Sequence, residues 1–265
     1  MNEVALQFAV SLLLDLGRYV LVATPVFFIF WRVFGERLRA RWLRPSPPEA
    51  TQTRREVMAS LRTALIFAAV GGAVHAGRMA GMMRVYSDVS THGWAYFFAS
   101  IGLLIVLQDA YFYFTHRAMH HRLLFRVMHQ THHLSRHTSP FSAYAFSPLE
   151  ALVHAAFVPL FLLVLPAHEI ALFSFLLFMV VRNVFGHLAI ELFPAGFTRS
   201  WFGRHHTTTT HHALHHLRAG YHFGLYFTFW DALLGTVDPT YEARFAAVTE
   251  ARGAEASRDE SVGVV

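Results

Sequence analysis

The stretch from Asp109 to His133 reads DAYFYFTHRAMHHRLLFRVMHQTHH. His116 and His120 stand four residues apart, a spacing that stacks two imidazoles on one face of a helix. His129, His132 and His133 repeat the pattern at i, i+3 and i+4, and far downstream His212, His215 and His216 repeat it again. Imidazole is a good ligand for iron, zinc, copper and nickel, so such faces on separate helices point to a polynuclear metal site. One HxxxH pair would not outweigh the reading as solvated surface histidines, but three boxes in one chain do. Cysteine is absent, which removes disulfides and thiolate ligands and leaves histidine and carboxylate to hold a metal.

The composition says where these boxes must sit. Of 265 residues, 54% are hydrophobic, 26 are Phe and only 15% are charged, against about 25% charged in a soluble globular chain. Mean hydropathy is +0.36, a membrane-protein value. The formal charge of +5 is carried by arginine without any lysine. It clusters beside apolar segments, where positive-inside topology accounts for it better than nucleic-acid binding does.

The elements that must position the boxes follow from apolar runs. Val4 to Trp31 is the first, interrupted by Asp15 and Arg18, which at i, i+3 can pair and reduce their cost in a bilayer. No small-residue cleavage site follows a short apolar core, so the run reads as an anchor rather than a leader. Arg32 to Arg62 reads as a polar connector with eight arginines, irregular around Pro45, Pro47 and Pro48, on the cytoplasmic side. Thr63 to Met83 is the second run and Val85–Gly93 a far-side connector. Trp94 to Thr115 is the third and brings His116 and His120 out at the cytoplasmic face. Ala151–Phe185 is broken by Pro159, Pro166 and His168-Glu169 into halves short for a span of roughly 20 residues. If all boxes share one site, this segment leaves and returns on the same face, as a helical hairpin of tilted spans or a re-entrant pair. Residues from Glu242 onward read as a frayed tail. The expected fold is all-α: an integral-membrane helical bundle of four to five membrane segments carrying a histidine-rich helical cap. The expected divisions are 1–93 (anchor helices and arginine-rich connector), 94–241 (catalytic core) and 242–265 (flexible tail).

The boxes resemble those of the sterol desaturase and fatty acid hydroxylase superfamily of integral-membrane di-iron oxygenases, with its order HxxxH, HxxHH and a distal HxxHH. Asp109 and Tyr113 ahead of the first box, the stretch Ser139–Glu150 after the second, Asn183 to His187 with Glu191, Phe223-Gly224 and Trp230 to Thr236 are also similar to it. The 139–150 stretch is closest to the C-5 sterol desaturase-like branch. Two features depart from the family pattern: His222 stands where Asn is usual before the distal Phe/Tyr-Gly pair, and Arg204 to Thr210 is unusually rich in His and Thr.

The resemblance implies a di-metal site held by His116, His120, His129, His132, His133, His212, His215 and His216, with His187 as a ninth ligand. His211 and His121 point off the ligand face and are expected in outer or surface roles; His75, His92, His154 and His168 have no box partner and read as structural. Asp109, seven residues before His116 and so on nearly the same helix face, is expected to accept the outer N–H of a ligand histidine. Glu191 and Glu150 are candidates for the same task. The implied cofactors are two iron ions with O₂ as co-substrate, zinc being a possible substitute. The implied reaction is desaturation or hydroxylation of a C–H bond of a sterol, hopanoid or fatty acyl lipid. No haem, flavin or Rossmann signature is visible, so electrons are expected from a separate ferredoxin or cytochrome b5-like donor. The alternatives are a carotenoid or ether-lipid oxygenase of the same fold, or a non-enzymatic zinc-binding membrane protein. A transporter would want its ligands in mid-bilayer, whereas these lie at helix ends.

Overall fold

A computed structural model of the protein describes residues 3–250. The architecture is helical: α1 (Glu3–Phe27), α2 (Ala50–Met79), α3 (Gly93–Met119), α4 (Pro148–Val164), α5 (Glu169–Gly186), α6 (Thr209–Leu217) and α7 (residues 241–250). Among the described residues four segments are long and apolar enough to cross a membrane: Ala5–Val33, Ala50–Met79, Gly93–Met119 and Glu169–Gly186. The chain is thus a multi-pass membrane protein. The fifth apolar helix, α4, has 17 residues and its neighbour α5 has 18; at about 1.5 Å per residue both fall a little short of a hydrocarbon core of about 30 Å. The expected hairpin is thus made of two short halves of nearly equal length.

α1 and α2 lie side by side, and their closeness depends on Gly71: a Cβ there would stand 2.8 Å from Ser11 Oγ. Small residues serve this purpose in membrane bundles, where lipid tails offer no hydrophobic drive for association. Asp15 and Arg18 pair across one turn of α1. After Pro25 the helix opens into a wider turn, Phe28–Val33, that delivers buried Trp31 to the carbonyl of Leu188 at 3.0 Å. The polar connector is shorter than its composition suggests. Arg54, Arg55 and Arg62 belong to α2, which begins at Ala50 and is polar for three turns before turning apolar. There buried Glu56 accepts hydrogen bonds from Gln52, Ser135 and Ser139, fastening the loop after the second box to the membrane helix.

At the opposite end, Val85–Tyr86 and Ala167–His168 form a two-residue parallel pair. It is too short to show alternation in sequence, and it ties the α2–α3 loop to the α4–α5 loop. His168 accepts the Ile170 amide with Nδ1 and donates Nε2–H to the Ser87 carbonyl, the structural role expected of it. Two apolar clusters fill the bundle. One, around Tyr19, Trp31, Tyr144, Val184 and Leu188, lies beneath the cap; the other, around Leu104, Phe157, Phe161 and Phe175, lies deeper.

The expected frayed tail does not begin at Glu242. Residues 241–250 are helical, and Tyr241 and Phe245 are buried against Leu214 of α6. Two apolar side chains four residues apart, Tyr241 and Phe245, supply a packing face that overall composition hides. The rest of that tail, 251–265, lies outside the described residues.

Candidate metal centre

The three boxes arrive on different supports. His116 is in the last turn of α3 and His120 is its C-cap. The second box is not on one continuous helix: His129 precedes a single turn, Gln130–His133, that follows another single turn, Phe125–Met128. The third box is on α6, whose residues Thr209 to His216 are all buried. The start of α6 is built for that depth. Thr208 Oγ1 accepts the His211 amide at 3.1 Å, and Glu191 Oε2 accepts the amide and hydroxyl of Thr210 at 2.9 and 2.7 Å. A carboxylate at a helix N-terminus satisfies orphan amides and complements the helix dipole.

These supports bring nine histidines into two adjoining sets. His116, His120, His129, His133 and His215 form one, and His132, His187, His212 and His216 the other; within each set the candidate ligand atoms lie within 4.8 Å of one another. The sets touch where the rings of His133 and His216 stack at 4.6 Å. His187, placed by the turn that ends α5, joins the second set.

The outer nitrogens decide what the inner ones can do. His116 Nδ1 donates to the Phe223 carbonyl at 3.1 Å, His215 Nδ1 to that of Tyr221 at 2.7 Å, and His187 Nδ1 to that of Asn183 at 2.8 Å. His129 Nδ1 faces Glu150 Oε1 at 2.6 Å. A carbonyl cannot donate, so in the first three rings the proton is on Nδ1 and Nε2 presents a lone pair. Those Nε2 atoms point at other Nε2 atoms: His116 to His129 at 3.0 Å, His215 to His120 and to His133 at 3.1 Å each, and His187 to His212 at 2.9 Å and to His132 at 3.2 Å. A neutral partner ring can bridge such a pair by carrying its proton on Nε2, and a cation bridges it by taking both lone pairs; an imidazolium is opposed by burial. Burial, helped by neighbouring rings, lowers the pKa of His120 to about 2 and holds His129, His132, His212 and His216 well below the imidazole range. Burial also brings His187 and His215 down to about 4, although each makes an outer hydrogen bond that favours the charged form. Converging neutral lone pairs are what a cation requires: two ligands at right angles about a metal with bonds of about 2.1 Å stand about 3.0 Å apart. Each set can hold a metal ion.

The carboxylates are arranged differently from expectation. Glu150 is the one that meets a box histidine. Asp109 is buried, and its Oδ1 accepts the amides of Tyr226 and Phe227 at 2.8 and 3.2 Å. The helix-face argument found the correct side of α3, but its backbone neighbours are nearer to Asp109 than any imidazole N–H. Glu191 likewise serves Thr210 and the Phe193 amide rather than a histidine. The backbone acceptors at Phe223, Tyr221 and Asn183 had no side-chain signal by which to find them.

A third buried group, His211, His222 and Asp231, resembles a metal site by composition, but its protons do not allow one. His222 Nε2 accepts the Asp238 amide at 3.1 Å, which leaves the proton on Nδ1 and no lone pair to offer. Asp231 is occupied by the amides of Phe223 and Gly224, by Thr236 Oγ1 and by His211. It therefore anchors the loop whose Phe223 carbonyl orients His116. His211 thus meets Asp231 rather than either histidine set. His222 has φ 62, a left-handed conformation that Asn, Asp and His tolerate better than other side chains.

The profile of the fatty acid hydroxylase family matches residues 101–236. Among curated proteins the chain is similar to lathosterol oxidase of Rattus norvegicus, 27% identical over 158 residues, which is 59% of this chain and 51% of that protein. It is also similar to lathosterol oxidase of Homo sapiens, 23% identical over 234 residues, 86% of this chain and 75% of that one. A delta(7)-sterol 5(6)-desaturase of Schizosaccharomyces pombe is 25% identical over 230 residues, 85% and 64% of the two chains. The chain spans about half the length of the rodent relatives it matches. No solved structure matches. The matched segment runs from mid-α3 through all three boxes to Thr236, and on that match the chain belongs to the fatty acid hydroxylase family, in its C-5 sterol desaturase-like branch.

Proposed function

We propose that this protein is an O₂-dependent membrane oxidoreductase that desaturates or hydroxylates a C–H bond of a lipid-like substrate, with two iron ions held by the nine histidines. The observation that carries the reading is the pair of histidine sets whose Nε2 lone pairs converge at the end of an apolar bundle. The relatives it resembles, lathosterol oxidases and a delta(7)-sterol 5(6)-desaturase, supply the reaction class. When bound, the iron pair would supply the O₂-activating redox chemistry that an unactivated C–H bond requires.

The chain's own residues do the rest. Phe223, Tyr221 and Asn183 fix the tautomers of His116, His215 and His187 through their carbonyls, and Glu150 orients His129. Phe112 packs on His116 at 4.8 Å and Phe146 on His132 at 5.2 Å, so the centre is walled by aromatic rings on its membrane side, which excludes water from the reacting bond. The catalytic unit on this reading is 94–241 together with the α7 helix packed on α6, and 1–93 anchors it. The arginines of the 32–44 segment support a cytoplasmic face for the cap, where a ferredoxin or cytochrome b5-like protein would deliver electrons.

The test has two parts. Protein purified anaerobically with iron should hold two metal ions per chain, and His132→Ala should lower that figure. Membranes containing the protein, incubated with O₂ and candidate sterols, hopanoids or acyl lipids, should yield a product of altered mass. A wild-type protein that stays metal-free under iron supply would overturn the reading.

A further inference from the structure

Arg182 sits one turn from the end of α5, in a segment long and apolar enough to span the membrane. An arginine there ordinarily runs its stem outward and lays its charge among the headgroups. This one is half-buried and turned under the cap. Its Nη2 donates to the carbonyl and hydroxyl of Thr207 at 3.3 and 3.0 Å and to the Tyr226 carbonyl at 3.3 Å. All three acceptors are neutral, and Arg182 forms no ion pair among the described residues. Asp109, the carboxylate whose field reaches it, is committed to the amides of Tyr226 and Phe227. The remaining donors, Nε and Nη1, meet no acceptor among the described residues.

Arg182 lines a cavity of about 280 Å³ between the end of α5, the start of α6 and the loops at 192–193 and 224–225. Phe185, Leu192, Phe193 and Leu225 supply its apolar part, and His212 of the second histidine set reaches it. The threonines of the wall are already engaged: Thr207 Oγ1 donates to the Leu225 carbonyl at 2.8 Å and Thr209 Oγ1 to that of Phe185 at 3.0 Å. The positive charge of this space is therefore that of Arg182. Gly186 keeps the space open, since a Cβ there would meet no atom within 4 Å. A charge held away from water requires compensation. A neutral oxygen would satisfy an N–H but leave the charge, whereas a carboxylate or phosphate oxygen does both in a charge-assisted hydrogen bond. A small hydrated anion would leave the apolar part of the cavity without a partner. We propose that Arg182 and this cavity bind the oxyanion of an amphiphile, a carboxylate or phosphate carrying an apolar chain, beside His212.

The claim concerns binding and stands whether or not the protein oxidises a lipid. The probes are hexadecanoate, hexadecyl phosphate and hexadecan-1-ol, which share a chain and differ at its end. Their retention is measured by native mass spectrometry of the full-length, metal-loaded protein in non-ionic detergent, with metal content and melting temperature taken on the same samples. The wild type should hold one of the anions about tenfold better than the alcohol; hexadecanoate in the lead identifies a carboxylate, hexadecyl phosphate a phosphate. Arg182→Gln should bring that anion down to the level of the alcohol, and Arg182→Lys, which keeps the charge, should retain most of the preference. Gly186→Leu, which fills the cavity and leaves the charge in place, should also remove the preference. Absence of the preference in the wild type would overturn the proposal. So would a preference that survives Arg182→Gln or Gly186→Leu, because the anion would then be held by the metal or the detergent boundary and not by Arg182. Where Arg182→Gln fails to load metal, the wild type, Arg182→Lys and Gly186→Leu decide by the same criteria.

Discussion

Glu150 divides its carboxylate between two tasks: Oε1 takes the outer nitrogen of His129 at 2.6 Å, while Oε2 accepts the Ser147 amide at 3.4 Å in a capping box that starts α4. One side chain therefore sets both the origin of a membrane helix and the orientation of a candidate metal ligand. Ser147 binds the other way as well, accepting the Glu150 amide at 3.2 Å and donating to the Met128 carbonyl next to His129.

The first prediction follows from that division. Glu150→Gln keeps an acceptor oxygen but exchanges the second carboxyl oxygen for an amide nitrogen that can only donate, and Glu150→Ala removes every partner for the His129 Nδ1. Loss of such a partner typically lowers metal affinity or activity about 10–100-fold. Chelator competition should rank wild type above Glu150→Gln above Glu150→Ala, with the alanine variant also melting earlier. An alanine variant with wild-type metal affinity would show that His129 needs no orienting partner.

Asp109 should behave as a backbone anchor. Asp109→Asn keeps an oxygen for the Tyr226 and Phe227 amides and should fold and load metal close to normally. Asp109→Leu strands two buried amides, at about 1–3 kcal/mol each, and should lose stability ahead of metal affinity. Scanning fluorimetry and metal analysis on the same samples separate the two effects. Equal losses in both variants would mean that the charge matters rather than the acceptor.

Sidedness is open to labelling because the chain has no cysteine. Ser46, Ser87 and Ser200 are exposed. Single cysteines at Ser46 and Ser200 should react from the cytoplasmic side with an impermeant maleimide, and one at Ser87 from the opposite side. Reaction of Ser46 and Ser200 from different sides would contradict a single cap.

Much of this was legible because metal-binding histidines and membrane helices both write themselves as spacing. The boxes, the additional His187 and the α4–α5 hairpin needed only periodicity, run length and resemblance. What could not be read were interactions whose second partner is backbone. Asp109 meets amides 117 and 118 residues away, and no side chain at 226 or 227 announces it. The second box misled in another way. Its i, i+3, i+4 spacing suits a helix, yet here it rides on single turns, with His129 outside the four-residue turn that carries His132 and His133. Glu150 was named as one candidate among three, and the Ser147–Pro148–Leu149–Glu150 capping pattern was the signal that would have separated it from the others.

The division of ligands among chain segments has a consequence for biogenesis. The first set draws on residues 116 to 133 and on His215, and the second joins His132 to His187, His212 and His216. Neither can be completed until the hairpin of α4 and α5 has been inserted and α6, translated last of these, has folded back. Cation binding then acts as a late cross-link between segments made at different times, and its free energy becomes part of the folding free energy of the cap. Metal supply would accordingly govern how much of this protein survives quality control in the membrane, before it governs how fast any molecule of it works.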